Sequence, residues 1–282
     1  NPPEPADHAL GDLARACYHY NFARPADRRS GWGSDSAGDM MAGSELAQDA
    51  PSTAGDLGSA MARVREMRIF GAYGPKPVWR GRIHQVAFFL SLPAGLWLLA
   101  GATTAAARVA VAVYWASMAG LFFTSSTYHL FAHSENAVKW WRRADHSMIF
   151  VLIAGSYTPF CLLVLPRVWG IPMLVVMWVT ALAGIIMKMV RVTAAGGKSG
   201  SWLYVVMGWA AMIALPQLVS ELGFGRMLLM FGGGILYTVG AVILGKRWLN
   251  FSPAVFGYHE VWHALTVGAG VCHFTLVAMI VR

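Results

Sequence analysis

A chain of 282 residues that is 56% hydrophobic and only 13% charged, with mean hydropathy +0.49, lies outside the balance of soluble domains, where about a quarter of residues are charged. The net charge of +8 and pI of about 9.7 would suit nucleic acid, but the basic side chains are spread through short segments between apolar runs, which excludes a nucleic-acid face. Three cysteines make no disulfide framework: Cys161 and Cys272 sit within apolar runs as packing residues, and Cys17 stands alone in a polar tail.

That tail is residues 1–60, where Asp, Ser, Gly, Ala and Pro dominate and nine of the fourteen acidic residues face only four arginines. Its composition predicts disorder, and it has no leader pattern of basic, apolar and small-residue regions. Met61 opens the stretch Met-Ala-Arg-Val-Arg-Glu-Met-Arg, so the tail reads either as a cytoplasmic extension or as translation begun too early. Cys17 and His19 are too sparse for a metal site. A basic juxtamembrane segment, 61–82, leads into a membrane domain at 83–282.

Within that domain, Asp, Glu, Lys and Arg are absent from 83–107, 109–134, 146–166, 168–187, 199–220, 227–245 and 261–281. Each run is close to the roughly 20 residues that span hydrocarbon, which predicts an all-α membrane protein, a seven-transmembrane helix bundle. Lys76, Arg80 and Arg82 precede the first run. Lys139, Arg142 and Arg143 follow the second, Lys188, Arg191 and Lys198 the fourth, and Lys246 and Arg247 the sixth; the opposite side receives only Arg108, Arg167, Arg226 and Arg282. Basic residues stay on the cytoplasmic side, so the N-terminus is expected inside and the C-terminus outside, in a plasma or bacterial inner membrane. A G-protein-coupled receptor has the opposite orientation.

On this topology the end of helix two, the start of helix three and the start of helix seven share one depth, and polar residues gather there. Helix two ends in Ser125-Ser126-Thr127-Tyr128-His129, helix three opens on Asp145-His146, and helix seven opens on His259-Glu260-Val261-Trp262-His263. Ionisable groups inside a bilayer are costly and are read as functional. His259 and His263, four apart, lie on one helical face about 6 Å apart, and His129 adds a third imidazole. Three imidazoles with water in the fourth tetrahedral position make a catalytic zinc centre, in which the water's pKa falls to about 7. Asp145 can orient that water and carry its proton. Ser125, one turn before His129, faces the same way, where its hydroxyl can hold the water or a substrate carbonyl.

These residues resemble the haemolysin III proteins and their eukaryotic relatives, the progestin and adipoQ receptors, within a wider set of membrane hydrolases that includes alkaline ceramidases. The resemblance is carried by Ser125-x-x-x-His129 with Phe131-Ala132-His133-Ser134-Glu135, by Asp145 with Gly155-Ser156-Tyr157-Thr158-Pro159 downstream, and by His259-x-x-x-His263. It covers about residues 75–282 and nothing in the tail. It implies zinc held by His129, His259 and His263, with Asp145 and Ser125 lining the site, and hydrolysis of a membrane lipid. Glu260 falls outside the family's motif.

Other residues carry plainer readings. His133 beside Ser134-Glu135 reads as a solvated interface residue, His84 near Arg82 as an interface residue, His146 as a loop or outer contact, and His273, about 15 Å deeper than His263, as a hydrogen bond to a neighbouring helix. Glu260 reads either as a second base, the role that H-E-x-x-H gives it in zinc peptidases, or as a residue facing another helix or the interface. Gly232, Gly233, Gly234 and Gly240 suit close helix approach, Pro159 a kink whose freed carbonyls Ser156 and Thr158 satisfy, and the tryptophans at 79, 140, 141, 202 and 248 an aromatic belt. The leading functional reading is a zinc-dependent hydrolase acting on a lipid amide or ester. Against it stand a pore-forming or membrane-disrupting cytolysin, an intramembrane H-E-x-x-H protease, which would want a third ligand on a later helix, and a non-catalytic receptor with structural zinc. A retinal photoreceptor is excluded, because helix seven has no lysine.

Overall fold

The computed structural model describes residues 76–191 and 202–282. The tail, the alternative start at Met61, Cys17, His19 and Lys198 lie outside the described residues. In lipid every backbone polar group must be satisfied within its own segment, which leaves helices as the solution for long apolar runs. The described residues accordingly form α1 (Arg82–Gly101), α2 (Ala105–Phe131), α3 (Glu135–Leu163), α4 (Arg167–Arg191), α5 (Trp202–Trp209), a 3₁₀ turn (Ala210–Ala214), α6 (Leu215–Lys246) and α7 (Tyr258–Val281). No strand occurs among them beyond one isolated bridge, Ser252 to Phe256.

Six helical stretches are long and apolar enough to cross a membrane, the 45-residue stretch Trp202–Lys246 counting as one. That stretch is not straight. Gly223 has φ 70° and ψ 171°, a conformation essentially reserved for glycine, and Trp209 Nε1 donates to Thr238 Oγ1 at 3.0 Å. In an uninterrupted helix those residues would be more than about 40 Å apart, so the chain doubles back at Gly223. On the near side of the reversal, α5 gives way to the 3₁₀ turn. There the Tyr157 hydroxyl accepts from Ala211 N at 2.7 Å and lies 2.9 Å from the Met207 carbonyl, satisfying groups that the break leaves without helical partners.

Helix α3 begins well before its charge-free run. Ser134 caps α3 by accepting from Ala137 N at 3.2 Å, and the helix then continues through Lys139, Arg142 and Arg143. Charges end an apolar run, but they do not end a helix. Asp145 therefore lies about 15 Å inside α3, not at its head, and takes nothing from the helix N-terminal dipole, which acts within the first turn.

Sequential helices pack as neighbours, and α7 packs on α6 and reaches back to α1, α2 and α3. Glycines make the close approaches possible. A Cβ on Gly155 would sit 2.1 Å from Ser117 Oγ across the α2–α3 contact, and one on Gly184 2.4 Å from the Phe150 ring across α3–α4. On α6 the expected small-residue contact holds at Gly233, against His273, and at Gly240, against Trp262, while Gly232 and Gly234 meet nothing within 4 Å. At Pro159 the outcome differs from the sequence expectation. Ser156 Oγ donates to Leu152 O at 2.7 Å and Thr158 Oγ1 to Ala154 O at 3.0 Å, whereas the carbonyl that Pro159 frees belongs to Gly155.

Candidate metal centre

The end of α2 and the start of α7 bring His129, His259 and His263 together. One ring nitrogen from each lies within 4.8 Å of the others, and His129 Nε2 and His259 Nε2 stand 3.2 Å apart. Zinc–imidazole bonds of about 2.05 Å at a tetrahedral angle separate two ligand nitrogens by about 3.3 Å, so this pair already has the spacing of a coordination edge. Ring centroids are 4.9 Å apart for His129–His259, 5.1 Å for His129–His263 and 4.6 Å for His259–His263. His129 and His263 are buried and His259 half-buried. His263 Nδ1 has no hydrogen-bond partner. Three converging imidazoles are the donor set that zinc takes, and the residues present fit that ion.

The other two predicted site residues also meet. Ser125 stands one turn before His129 on α2, and its side chain interacts with the Asp145 carboxylate of α3. His146 Nδ1 bonds the Arg142 carbonyl oxygen at 2.8 Å and lies 3.8 Å from Asp145 Oδ2. Tyr204 donates to the His146 carbonyl at 2.8 Å, and the fully buried Lys188 holds its Nζ 5.1 Å over the Tyr204 ring. The acid is thereby framed by α2, α3, α4 and α5. His133 is exposed, as expected of an interface residue, and His273 reaches the Met230 carbonyl on α6 at 3.4 Å.

Two features escape the sequence reading. His84 is no interface residue: it is buried, with a relative exposure of 2%, and its ring stacks on His263 with centroids 3.9 Å apart and planes 13° from parallel. Its position in the first turn of α1, at the same predicted depth as the other histidines, was the available signal. Glu260, the middle acid of H-E-x-x-H, is also fully buried and pairs with Arg80. Its Oε2 accepts from Gly257 N at 2.9 Å, which satisfies an orphan donor at the start of α7. Both carboxylate oxygens are thus committed to structure.

The segment before α1 packs onto this end of the bundle. Val78 N donates to Ala254 O at 3.0 Å and Trp79 N to Val255 O at 3.3 Å, and Lys76 Nζ donates to the His129 carbonyl at 3.1 Å. Burial and the neighbouring Arg80 hold the Lys76 ammonium below its usual pKa. Gly81, at φ 80°, brings the chain so close to α2 that a Cβ would lie 2.7 Å from His129 Cβ.

Membrane-length helices around a buried three-histidine cluster define a multi-pass membrane protein with a candidate metal centre at one end of its bundle. The family described as Haemolysin-III related matches residues 73–274. Hemolysin-3 of Bacillus cereus is 35% identical over 197 residues, covering 69% of this chain and 86% of that protein. The Hemolysin-3 homolog of Bacillus subtilis (strain 168) is 33% identical over 197 residues, covering 69% and 89% respectively. This chain belongs to the haemolysin III family.

Proposed function

We propose that this haemolysin III protein is a zinc-dependent membrane hydrolase acting on a lipid amide or ester. The observation that carries the reading is the convergence of three imidazoles, from α2 and α7, to a mutual distance of 4.8 Å or less. His129, His259 and His263 hold the ion. Zinc, when bound, supplies a Lewis acid and lowers the pKa of water to about 7. Asp145, beside the Ser125 side chain, takes a proton from the attacking water and returns it to the leaving amine or alcohol. The buried shell of α1, α2, α3 and α7 keeps bulk water out, which strengthens these interactions.

The proposed topology is seven crossings, N-terminus inside and C-terminus outside, in a plasma or bacterial inner membrane. The reversal at Gly223 supports it, because a stretch that doubles back can cross twice. Membrane lipids are the proposed partners.

The relatives' name supports a second reading, a membrane-disrupting or pore-forming cytolysin. Among the described residues, the buried Lys and acidic side chains are Lys188 and Glu260, one stacked on Tyr204 and the other paired with Arg80, a pattern unlike the charged rings that line ion pores. Metal analysis of the purified protein tests the proposal, with about one zinc per chain expected and loss of the ion expected in His263→Ala. A folded His263→Ala protein that keeps its full zinc would refute the ligand set. Lipidomic comparison of cells with and without the protein then separates the readings: a hydrolase accumulates or consumes a defined lipid, whereas a cytolysin releases trapped dye from vesicles without lipid turnover.

A further inference from the structure

His84 is the contribution of α1 to a centre whose three candidate ligands all come from α2 and α7. It is buried, and neither of its ring nitrogens has a hydrogen-bond partner. It comes near the His263 main chain without meeting hydrogen-bond geometry. One neighbour is Phe122, at a centroid distance of 5.2 Å, and the other is the stacked His263 ring. A packing residue in that slot would be better served by a phenyl ring, since unpaired buried nitrogens are expensive. Such an expense persists where something not yet bound relieves it.

His263 has the complementary need. A metal-ligating histidine normally has its second nitrogen fixed by an outer partner that sets tautomer and ring orientation, and His263 Nδ1 has none. What holds that ring is the flat face of His84, 13° from parallel at 3.9 Å. His84 itself lies outside the group of nitrogens close enough to share an ion.

We propose that His84 is a positioning residue of the metal centre. Its ring fixes the plane of His263 by stacking, and its buried nitrogens hydrogen-bond the polar group, a water or the carbonyl oxygen of a lipid ester or amide, that enters beside the three ligands. The proposal rests on the zinc reading above and deepens it.

The test uses the full chain in detergent micelles, loaded with cobalt(II) as a spectroscopic probe, as wild type, His84→Phe and His84→Gln. The Phe variant keeps a flat ring over His263 and deletes both nitrogens, whereas the Gln variant keeps a donor and an acceptor and deletes the ring. All three are expected to bind one metal per chain. In the Phe variant the visible d–d spectrum shifts while metal transfer to a chelator stays within about twofold of wild type; in the Gln variant transfer is faster by about tenfold, the lower end of outer-shell effects. Spectra and transfer rates identical to wild type in both variants would make His84 a bystander. A folded Phe variant that binds no metal would make it a fourth ligand, and that also overturns the positioning role. If the Phe variant does not fold, the Gln variant decides, unchanged transfer refuting the proposal. Wild type that binds no metal fails the zinc reading itself, and the His84 role falls with it, an outcome distinguishable from the others.

Discussion

At the scale of single residues, the two acids near the histidines have separate tasks, and substitution should separate them. Asp145 neighbours Ser125 and takes no part in the metal-ligand group, so Asp145→Asn is expected to keep zinc while lowering turnover of the substrate lipid by about 100-fold or more, the scale of a lost general base. Zinc content and turnover measured on the same preparation check this, and unimpaired turnover would remove Asp145 from the chemistry. Glu260 is committed to Arg80 and to the Gly257 amide. Glu260→Gln retains an acceptor for the amide but strands the Arg80 guanidinium, and breaking one side of a buried pair costs about 3 kcal/mol. Arg80 also acts electrostatically on all three histidines, so uncovering its charge should weaken the hold on a divalent cation. A melting curve and a chelator titration matching wild type would contradict that role. The triad was legible because i, i+4 spacing at the head of a long apolar run leaves little else for two imidazoles to do. His84 was not, since a single histidine in an apolar run has no spacing to betray it. The structural use of Glu260 was hidden because its partner Arg80 is 180 positions away.

At the scale of elements, two glycines in the left-handed half of backbone space give a controlled comparison. Gly81 (φ 80°) ends the segment that leads into α1, and its missing side chain lets the chain pass against His129; Gly223 (φ 70°) makes the reversal before the second half of α6 with nothing within 4 Å. An alanine at either position pays backbone strain of about 1–3 kcal/mol, but only at Gly81 does the new Cβ push on a candidate ligand. Gly81→Ala is therefore expected to lower both melting temperature and metal affinity, and Gly223→Ala melting temperature alone. Equal metal affinities in the two variants would show that the approach of α1 to His129 does not hold the ligand in place. The helices were legible from the apolar runs because lipid leaves the backbone no other structure. Their starts were not: α3 begins at Glu135, eleven residues before its charge-free run, because Ser134 supplies a cap and the basic residues that follow are good helix formers with access to water. That offset is why Asp145 sits deeper in its helix than its place in the sequence suggests.

At the scale of the whole bundle, the two ends of the described membrane unit bear on the number of crossings. Lys76 bonds the His129 carbonyl and Gly81 abuts His129, so the chain enters α1 at the histidine end. Arg282 lies at the other end of that same helix: its guanidinium stacks 3.4 Å from the Trp97 ring centroid, and Nη2 donates to the Trp97 carbonyl at 3.1 Å. Helix α1 is 20 residues long, about 30 Å, the thickness of the hydrocarbon core. Entry at one face and exit at the other require an odd number of crossings, whereas six apolar stretches that each crossed once would make it even. In the proposed topology the stretch that doubles back at Gly223 crosses twice, which restores the parity and gives seven. The proposed side rests on charge: Lys76, Arg80, Arg142, Arg143, Lys246 and Arg247 lie towards the histidine-cluster ends of their segments, while Arg108, Arg167, Arg226 and Arg282 lie towards the other ends, and an excess of basic residues marks a cytoplasmic side. A reporter that is active only in the cytoplasm should be silent when fused after Arg282 and active when inserted between Lys246 and Asn250, and one that is active only outside should show the reverse. A cytoplasmic signal from the C-terminal fusion would mean an even number of crossings, and it would also separate the histidines from the face on which their shared depth was predicted.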